Sequence, residues 1–450
     1  MLWAAALLLN LAVPAATEAD VRALLRTKTG AIALPPGAID ISAEIVLPDG
    51  ARDLIISGAP EGTVLRAASG FRGRALLVAR KARGVRFRSF TIDGNRAALE
   101  VRGGLPPYDT PFARFTPNNG LLIENSEDIA VERVVLRNVA GFAVLVARSS
   151  RIEIRGARIS DSGSRNEKGR NNTTGGILLE EGVVGFSVSE CVIERLRGNG
   201  VWTHSLYSSP RNRDGSIARN RFFEIGRDAI QVGHAIQVRV ENNTGTRIGF
   251  PAGEVDVEGG GTPVAIDTAG NVERSVYARN RFQEINGKCI DLDGFHHGEV
   301  RENTCVNRGR AEDYPFGHYG IVMNNTNPDM QSEHIAILGN LVRGMKFGGI
   351  FVIGTDHRIQ GNRLLDLNTA GCNESSARFG CSHFPGEPDL LQAGIYLGRR
   401  AERPAIARRN LIRGNTITGH KMATRCIGSA PEVLLKDNTI DANVCRDAPK

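Results

Sequence analysis

Between residues 217 and 305 the apolar and polar positions fall into one phrase that recurs in a fixed register. Ile217-Ala-Arg-Asn220-Arg-Phe is followed by Val240-Glu-Asn-Asn243-Thr-Gly, then Tyr277-Ala-Arg-Asn280-Arg-Phe and Val300-Arg-Glu-Asn303-Thr-Cys. An apolar residue stands three before each Asn, and usually another stands two after it. The frame continues at Asn340, Asn362, Asn415 and Asn438, and backwards it places Cys191, Ala157, Val134 and Phe90 in the Asn position. Successive Asn separations from 220 are 23, 37, 23, 37, 22, 53 and 23 residues. A constant minimum with variable excess predicts a solenoid whose coils carry loop insertions.

Apolar residues around each Asn alternate or form short β-branched and aromatic runs, with no sustained helical stripe. About 22 residues per coil, as three short strands and three turns, fits a parallel β-helix, whereas helical repeats need ~33 or more. Asn tolerates left-handed backbone and bonds neighbouring peptides, so it suits a tight turn. Stacked one per coil, these asparagines predict an internal hydrogen-bonded ladder. Residues 18–28 predict a short helix with Val21, Leu24 and Leu25 on one face, a cap for the open first coil.

With this repeat the chain resembles the right-handed parallel β-helix proteins of the pectate-lyase-like superfamily. Leu34-Pro-Pro-Gly37 followed by Ile92-Asp-Gly-Asn95 is similar to the opening rungs of many of its members. The resemblance implies an all-β, single-stranded right-handed solenoid behind the capping helix. It leaves the chemistry open, because that superfamily hosts lyases, hydrolases, epimerases, tailspikes and adhesins. We read one domain over 20–445, with a polar tail from 446 to 450 expected to fray.

Residues 1–16 have the short apolar run and small flanking residues of a secretory signal, with cleavage near 15–19. No Lys or Arg precedes that run. Export predicts a periplasmic or extracellular protein with no stable membrane insertion once the signal is removed. Of the seven cysteines, Cys372 pairs with Cys381 and Cys426 with Cys445 on this reading. Cys191 and Cys305 are expected buried and inert, and Cys289 lacks an evident partner. The net charge of +7 is compatible with a polyanion such as an acidic polysaccharide, but equally with ordinary solubility. No dense basic run points to nucleic acid.

One Gly-led or Ala-led strand per coil carries the candidate chemistry. Alternation along it predicts two outward columns. The first runs Leu178, Trp202, Gln231, Ala265, Asp291, Val322, Phe351, Tyr396; the second runs Glu180, His204, Gly233, Asp267, Asp293, Asn324, Ile353, Gly398. On this register Asp267 stacks on Asp293, with Asp291 beside them. Three carboxyls so close cannot all ionise cheaply, so one is held protonated or a cation neutralises the set.

In a hydrolase, one Asp protonates the glycosidic oxygen while another activates water or attacks carbon. In a lyase, Asp267, Asp291 and Asp293 hold Ca²⁺, and a base such as Lys288, His204, His234 or His296 removes the proton. Glu180, Trp202, Gln231, His234, His296, Asn324 and Tyr396 are the predicted substrate-binding residues, the aromatics as sugar platforms. The same residues also admit structural duties, since Asp-x-Asp-Gly at 291–294 can simply end a strand. The sequence lacks the Asn-Thr-Asp, Asp-Asp, Gly-His-Gly and Arg-Ile-Lys elements of polygalacturonase-like hydrolases, and the Asp-Pro-His-Glu element of alginate epimerases. Two functions therefore remain: a secreted polysaccharide-cleaving hydrolase or lyase, or a non-catalytic surface or glycan-binding scaffold.

Overall fold

A computed structural model describes residues 16–373, 378–382, 384–399 and 403–448. The segment read as a signal thus lies outside the described residues, except for Ala16. Short strands pair in parallel with the strand one coil above and one coil below. One coil holds Val201–His204, Asn212–Ala218 and Arg221–Ile225; these pair with Ile177–Glu180, Val184–Ser189 and Val192–Leu196 of the coil before. A single stacked core of Ile, Val, Leu and Phe fills the coil interior from Val21 to Val433. Gly245 lies in register between Phe222 and Phe282. A β-carbon there would sit 2.5 Å from the Phe282 ring, so this coil position accommodates no side chain.

The short helix Glu18–Leu24 closes the N-terminal coil with Val21 and Leu25 buried. Leu24, expected on the same face, is instead 38% exposed. Thr17 and Asp20 form a reciprocal capping box, which satisfies the first free N–H groups. At the other end, the strand Val444–Asp447 reaches into the segment expected to fray, because Ala448 N–H still donates to Gly419 O.

The asparagine ladder is continuous. Asn220 Nδ2 donates to Asn243 Oδ1 at 3.0 Å, and the chain of bonds passes through Asn280, Asn303, Asn340 and Asn362 to Asn415. Two features of this turn differ from expectation. The left-handed residue is the one before the Asn (Arg219, Asn242, Arg279 and Glu302), so the ladder Asn serves by its amide. The ladder also ends on Asn443, not Asn438, since Asn415 Nδ2 donates to Asn443 Oδ1 at 2.9 Å. Asn438 belongs to a different turn, where its Oδ1 accepts from Asn410 N–H. Asn415 of the ladder precedes Ile417 by two residues just as Asn438 precedes Ile440, so the phrase alone does not separate the two turns.

Three disulfides form: Cys372–Cys381, Cys426–Cys445 and Cys289–Cys305. The third corrects the reading of Cys305 as a lone core thiol. Cys191 remains a buried free thiol in the ladder column.

Candidate functional site

The first strand of each coil builds the face on which the predicted residues lie. Leu178 aligns with Trp202, Trp202 with Gln231, and Gln231 with Asp267. Ile266 faces Ile290 in the next coil, which brings Asp267 beside Asp291; Val322, Phe351 and Tyr396 follow in the same column. The second column runs Glu180, His204, Gly233, Ala269, Asp293 and Asn324. Asp267 therefore stacks on Asp291 and not on Asp293, and Ala265 belongs to the core. The physical cause is Thr268. Alternation with Ala265 outward puts the apolar Val264 inward, whereas Thr268 takes the inward position by bonding its hydroxyl to the buried Tyr277 hydroxyl at 2.7 Å.

The N-terminal half of this face is not a cleft. Val78, Leu122, Leu145, Leu178 and Trp202 continue the first column as a second apolar cluster. The insertion at 94–118 roofs it with the helical turn Phe112–Phe115. Phe112 meets Trp202 with ring centroids 5.0 Å apart and His204 at 5.5 Å. Glu180 is fully buried, and its carboxylate accepts from the N–H groups of Phe112 and Ala113 at 3.0 and 2.7 Å. Glu180 and Trp202, expected to touch substrate, instead hold the roof down. Burial pushes the Glu180 carboxyl up to about 7 and holds His204 down at about 4. His204 lies three coils from Asp293 in its column, too far to act as base for the aspartates.

The other end is closed too. Tyr396 is buried, stacked on Phe351 at 5.8 Å, and its hydroxyl donates to Glu387 of the 366–393 insertion at 2.6 Å. This corrects Tyr396 as a sugar platform. His296 bonds Asn271 and lies against His297, both at 3.0 Å, on the stretch following the groove strand. His234 packs on Tyr207 at 4.5 Å between ring centroids. Burial lowers the pKa of both histidines.

Between the two closures lies the polar centre. Asn199 Nδ2 donates to Gln231 Oε1 at 2.7 Å, and Gln231 Nε2 donates to Asp267 Oδ2 at 2.6 Å. Lys288 Nζ donates to Asp291 Oδ2, while Asp291 Oδ1 is buried with no hydrogen-bond partner among the described residues. Asp293 accepts from Thr326 through both oxygens, at 2.9 Å from the N–H and 2.6 Å from the hydroxyl. Asn324 stands next to Asp293 in the second column.

Burial and the charges of Asp228 and Asp291 drive the Asp267 carboxyl well above the usual carboxylate range. Burial and the nearby Asp291 likewise raise Asp293 to about 6. Burial opposes the charge on Lys288, but Asp291, Asp267 and Asp293 outweigh it and hold the ammonium above its ordinary pKa. This overturns Lys288 as a candidate base, because a base must be free of its proton. It also supplies, from within the chain, the positive charge that the lyase reading drew from Ca²⁺ bound by Asp267, Asp291 and Asp293.

Two contributors escaped the sequence reading. Asp228 is buried, accepts from Val264 N–H at 2.9 Å and is itself raised to about 6, chiefly by burial. Asn199 orients Gln231. Each immediately precedes the Gly or Ala that leads its groove strand, a polar position that was available as a signal. Tyr207, from the 205–215 insertion, accepts at its hydroxyl from Asn327 Nδ2 at 2.7 Å. Burial and the charges of Asp329 and Asp293 push that phenol up to about 12.

A family model described as "Right handed beta helix region" matches residues 78–271. The fold is a right-handed parallel β-helix. Solved structures superpose on this β-helix along most of its length. A DFA-IIIase from Arthrobacter chlorophenolicus A6 is 12% identical with TM-score 0.50, covering 96% of this chain and 93% of that one. The catalytic unit of a GH87 α-1,3-glucanase from Streptomyces thermodiastaticus is 12% identical with TM-score 0.54, covering 94% and 67%. The pre-mature gene product 12 of bacteriophage phi29 is 13% identical with TM-score 0.61; 86% of the β-helix chain matches 48% of the phage protein. No curated protein matches the sequence. At these identities the likeness is one of fold.

Proposed function

We propose that this β-helix is a secreted glycan-cleaving hydrolase in which Asp267 is the proton donor and Asp291 the carboxylate partner. The observation that carries the reading is the stacking of two unlike carboxyls on adjacent rungs. Asp267 is biased toward its protonated form, whereas Asp291 is ion-paired to Lys288 and keeps one buried oxygen free. Unlike environments for two neighbouring carboxyls are how acid and base roles are divided.

Asp267 delivers its proton to the glycosidic oxygen as that bond breaks. Asp291 attacks the anomeric carbon, and water deprotonated by Asp267 then displaces it; the net result is addition of water across the bond. Rung spacing of about 4.8 Å sets the pair near the ~5–5.5 Å typical of retaining glycosidases. Gln231 orients Asp267, Lys288 pairs with Asp291, and Asp293 and Asn324 line the adjoining column.

The superposed DFA-IIIase and α-1,3-glucanase bear names of carbohydrate-active proteins, and the closed groove ends favour a short stretch of glycan. Three disulfides support an oxidising compartment, hence secretion. The test is a panel of neutral and acidic polysaccharides and short oligosaccharides, assayed for new reducing ends with wild type, D267N and D291N. Release by wild type alone supports the assignment. Equal release by both variants sinks it, and no release on any glycan favours the scaffold reading. An unsaturated, ultraviolet-absorbing product would mark lyase chemistry instead.

A further inference from the structure

The insertions at 94–118, 161–174 and 249–262 are laced together beside the groove. Arg165 N–H donates to Glu100 at 2.7 Å and its guanidinium to Glu254 at 2.6 Å, while Asn166 donates to Asp256 at 2.6 Å. They flank an open cavity of about 220 Å³ lined by Arg96, Arg165, Arg195 and Arg197 together with the acids Asp161, Glu224 and Glu254. That is below the ~300–1,000 Å³ of drug-sized sites, a volume suited to one sugar unit or a small oxyanion.

Three of these arginines are neutralised by direct partners: Arg165 by Glu254, Arg197 by Glu100, and Arg195 by both oxygens of Asp161 at 2.8 and 2.9 Å. Arg96 is different. Its guanidinium has no hydrogen-bond partner among the described residues, and Asp161 and Glu100, its nearest opposite charges, are already engaged. Burial and the charges of Arg197 and Arg165 lower its pKa. A planar guanidinium of this kind is built to take an oxyanion through two parallel N–H bonds.

We propose that this cavity binds the anionic group of an acidic glycan, a carboxylate or sulfate, with Arg96 as the principal ligand. Gly226 lines it, and Asp228, two residues on, is one of the charges that raise the Asp267 carboxyl. As a substrate subsite the assignment rests on the hydrolase reading, while anion binding itself does not.

The experiment is calorimetric titration of the folded protein with galacturonate, inorganic sulfate and neutral galactose, using wild type, R96Q, R96K, R413Q and D267N. Arg413 is an exposed arginine paired with Asp441 and serves as the surface control. Expected are binding of galacturonate or sulfate but not galactose, a loss of about tenfold or more in R96Q, partial recovery in R96K, and no change in R413Q. D267N is expected to retain anion binding, so failure of the hydrolase reading and failure of the anion site are separately visible. R96K keeps the test valid if R96Q does not fold. Wild type that binds neither anion, wild type that binds galactose as tightly as the anions, or R96Q that binds them as wild type does (R96K, where R96Q does not fold) overturns the proposal.

Discussion

Asp267 and Asp291 stand on adjacent rungs of one outward column, yet their surroundings differ in kind. Asp267 faces the neutral amide of Gln231, and Asp291 faces the ammonium of Lys288. Burial and the charges of Asp228 and Asp291 bias the Asp267 carboxyl toward its acid, while Asp291 carries the ion pair to Lys288. Replacing Asp267 with Asn is expected to lower turnover by ~10²–10⁴-fold with little change in melting temperature, the usual worth of a positioned acid. Nuclear magnetic resonance of the first-formed sugar is expected to show retained anomeric configuration; inversion would require a wider separation than one rung provides.

Lys288 stabilises through a buried pair, so its removal acts mainly by what it leaves behind. K288M strands the Asp291 carboxylate and is expected to cost about 3–5 kcal/mol in denaturant unfolding. K288M combined with D291N is expected to regain most of that loss. Additive losses in the double variant would show that the two residues are not coupled.

Asp293 sets a pH dependence of known sign. Its folded pKa, about 6, lies above the ordinary 3.8, so the folded state binds the proton more tightly than the unfolded state. Its contribution is complete below about pH 4 and is lost as pH rises through 6, on the order of 2–3 kcal/mol at most. D293N, which cannot ionise, is therefore expected to gain thermal stability relative to wild type between pH 4 and 7.5. Parallel curves of melting temperature against pH would contradict this.

The roof over the apolar half of the face depends on Glu180 and Phe112. F112A is expected to cost about 3–5 kcal/mol, as for a buried aromatic. E180A leaves the N–H groups of Phe112 and Ala113 without acceptors and is expected to loosen the 94–118 insertion. In protein lacking residues 1–16, Trp202 is the sole tryptophan, so a red shift of its emission reports the opening directly. Unchanged emission in both variants would show that the insertion is held elsewhere.

The recurring Asn phrase by itself determined the coil length, the three-strand coil, the ladder column back to Phe90, and which strand would carry Asp267, Asp291 and Asp293. Those are local properties, set by alternation and by turn residues whose partners lie one coil away. The tertiary structure decided what alternation leaves open. Thr268 found an interior partner in Tyr277, and that shifted Asp267 by one position pair to stand on Asp291. A loop distant in sequence covered Trp202 and Glu180, the insertion just before Tyr396 covered that residue, and Lys288 came to pair with Asp291. Thr268 and Tyr277 lie nine residues apart on different strands and Phe112 lies 68 residues before Glu180, and alternation along a single strand encodes neither contact.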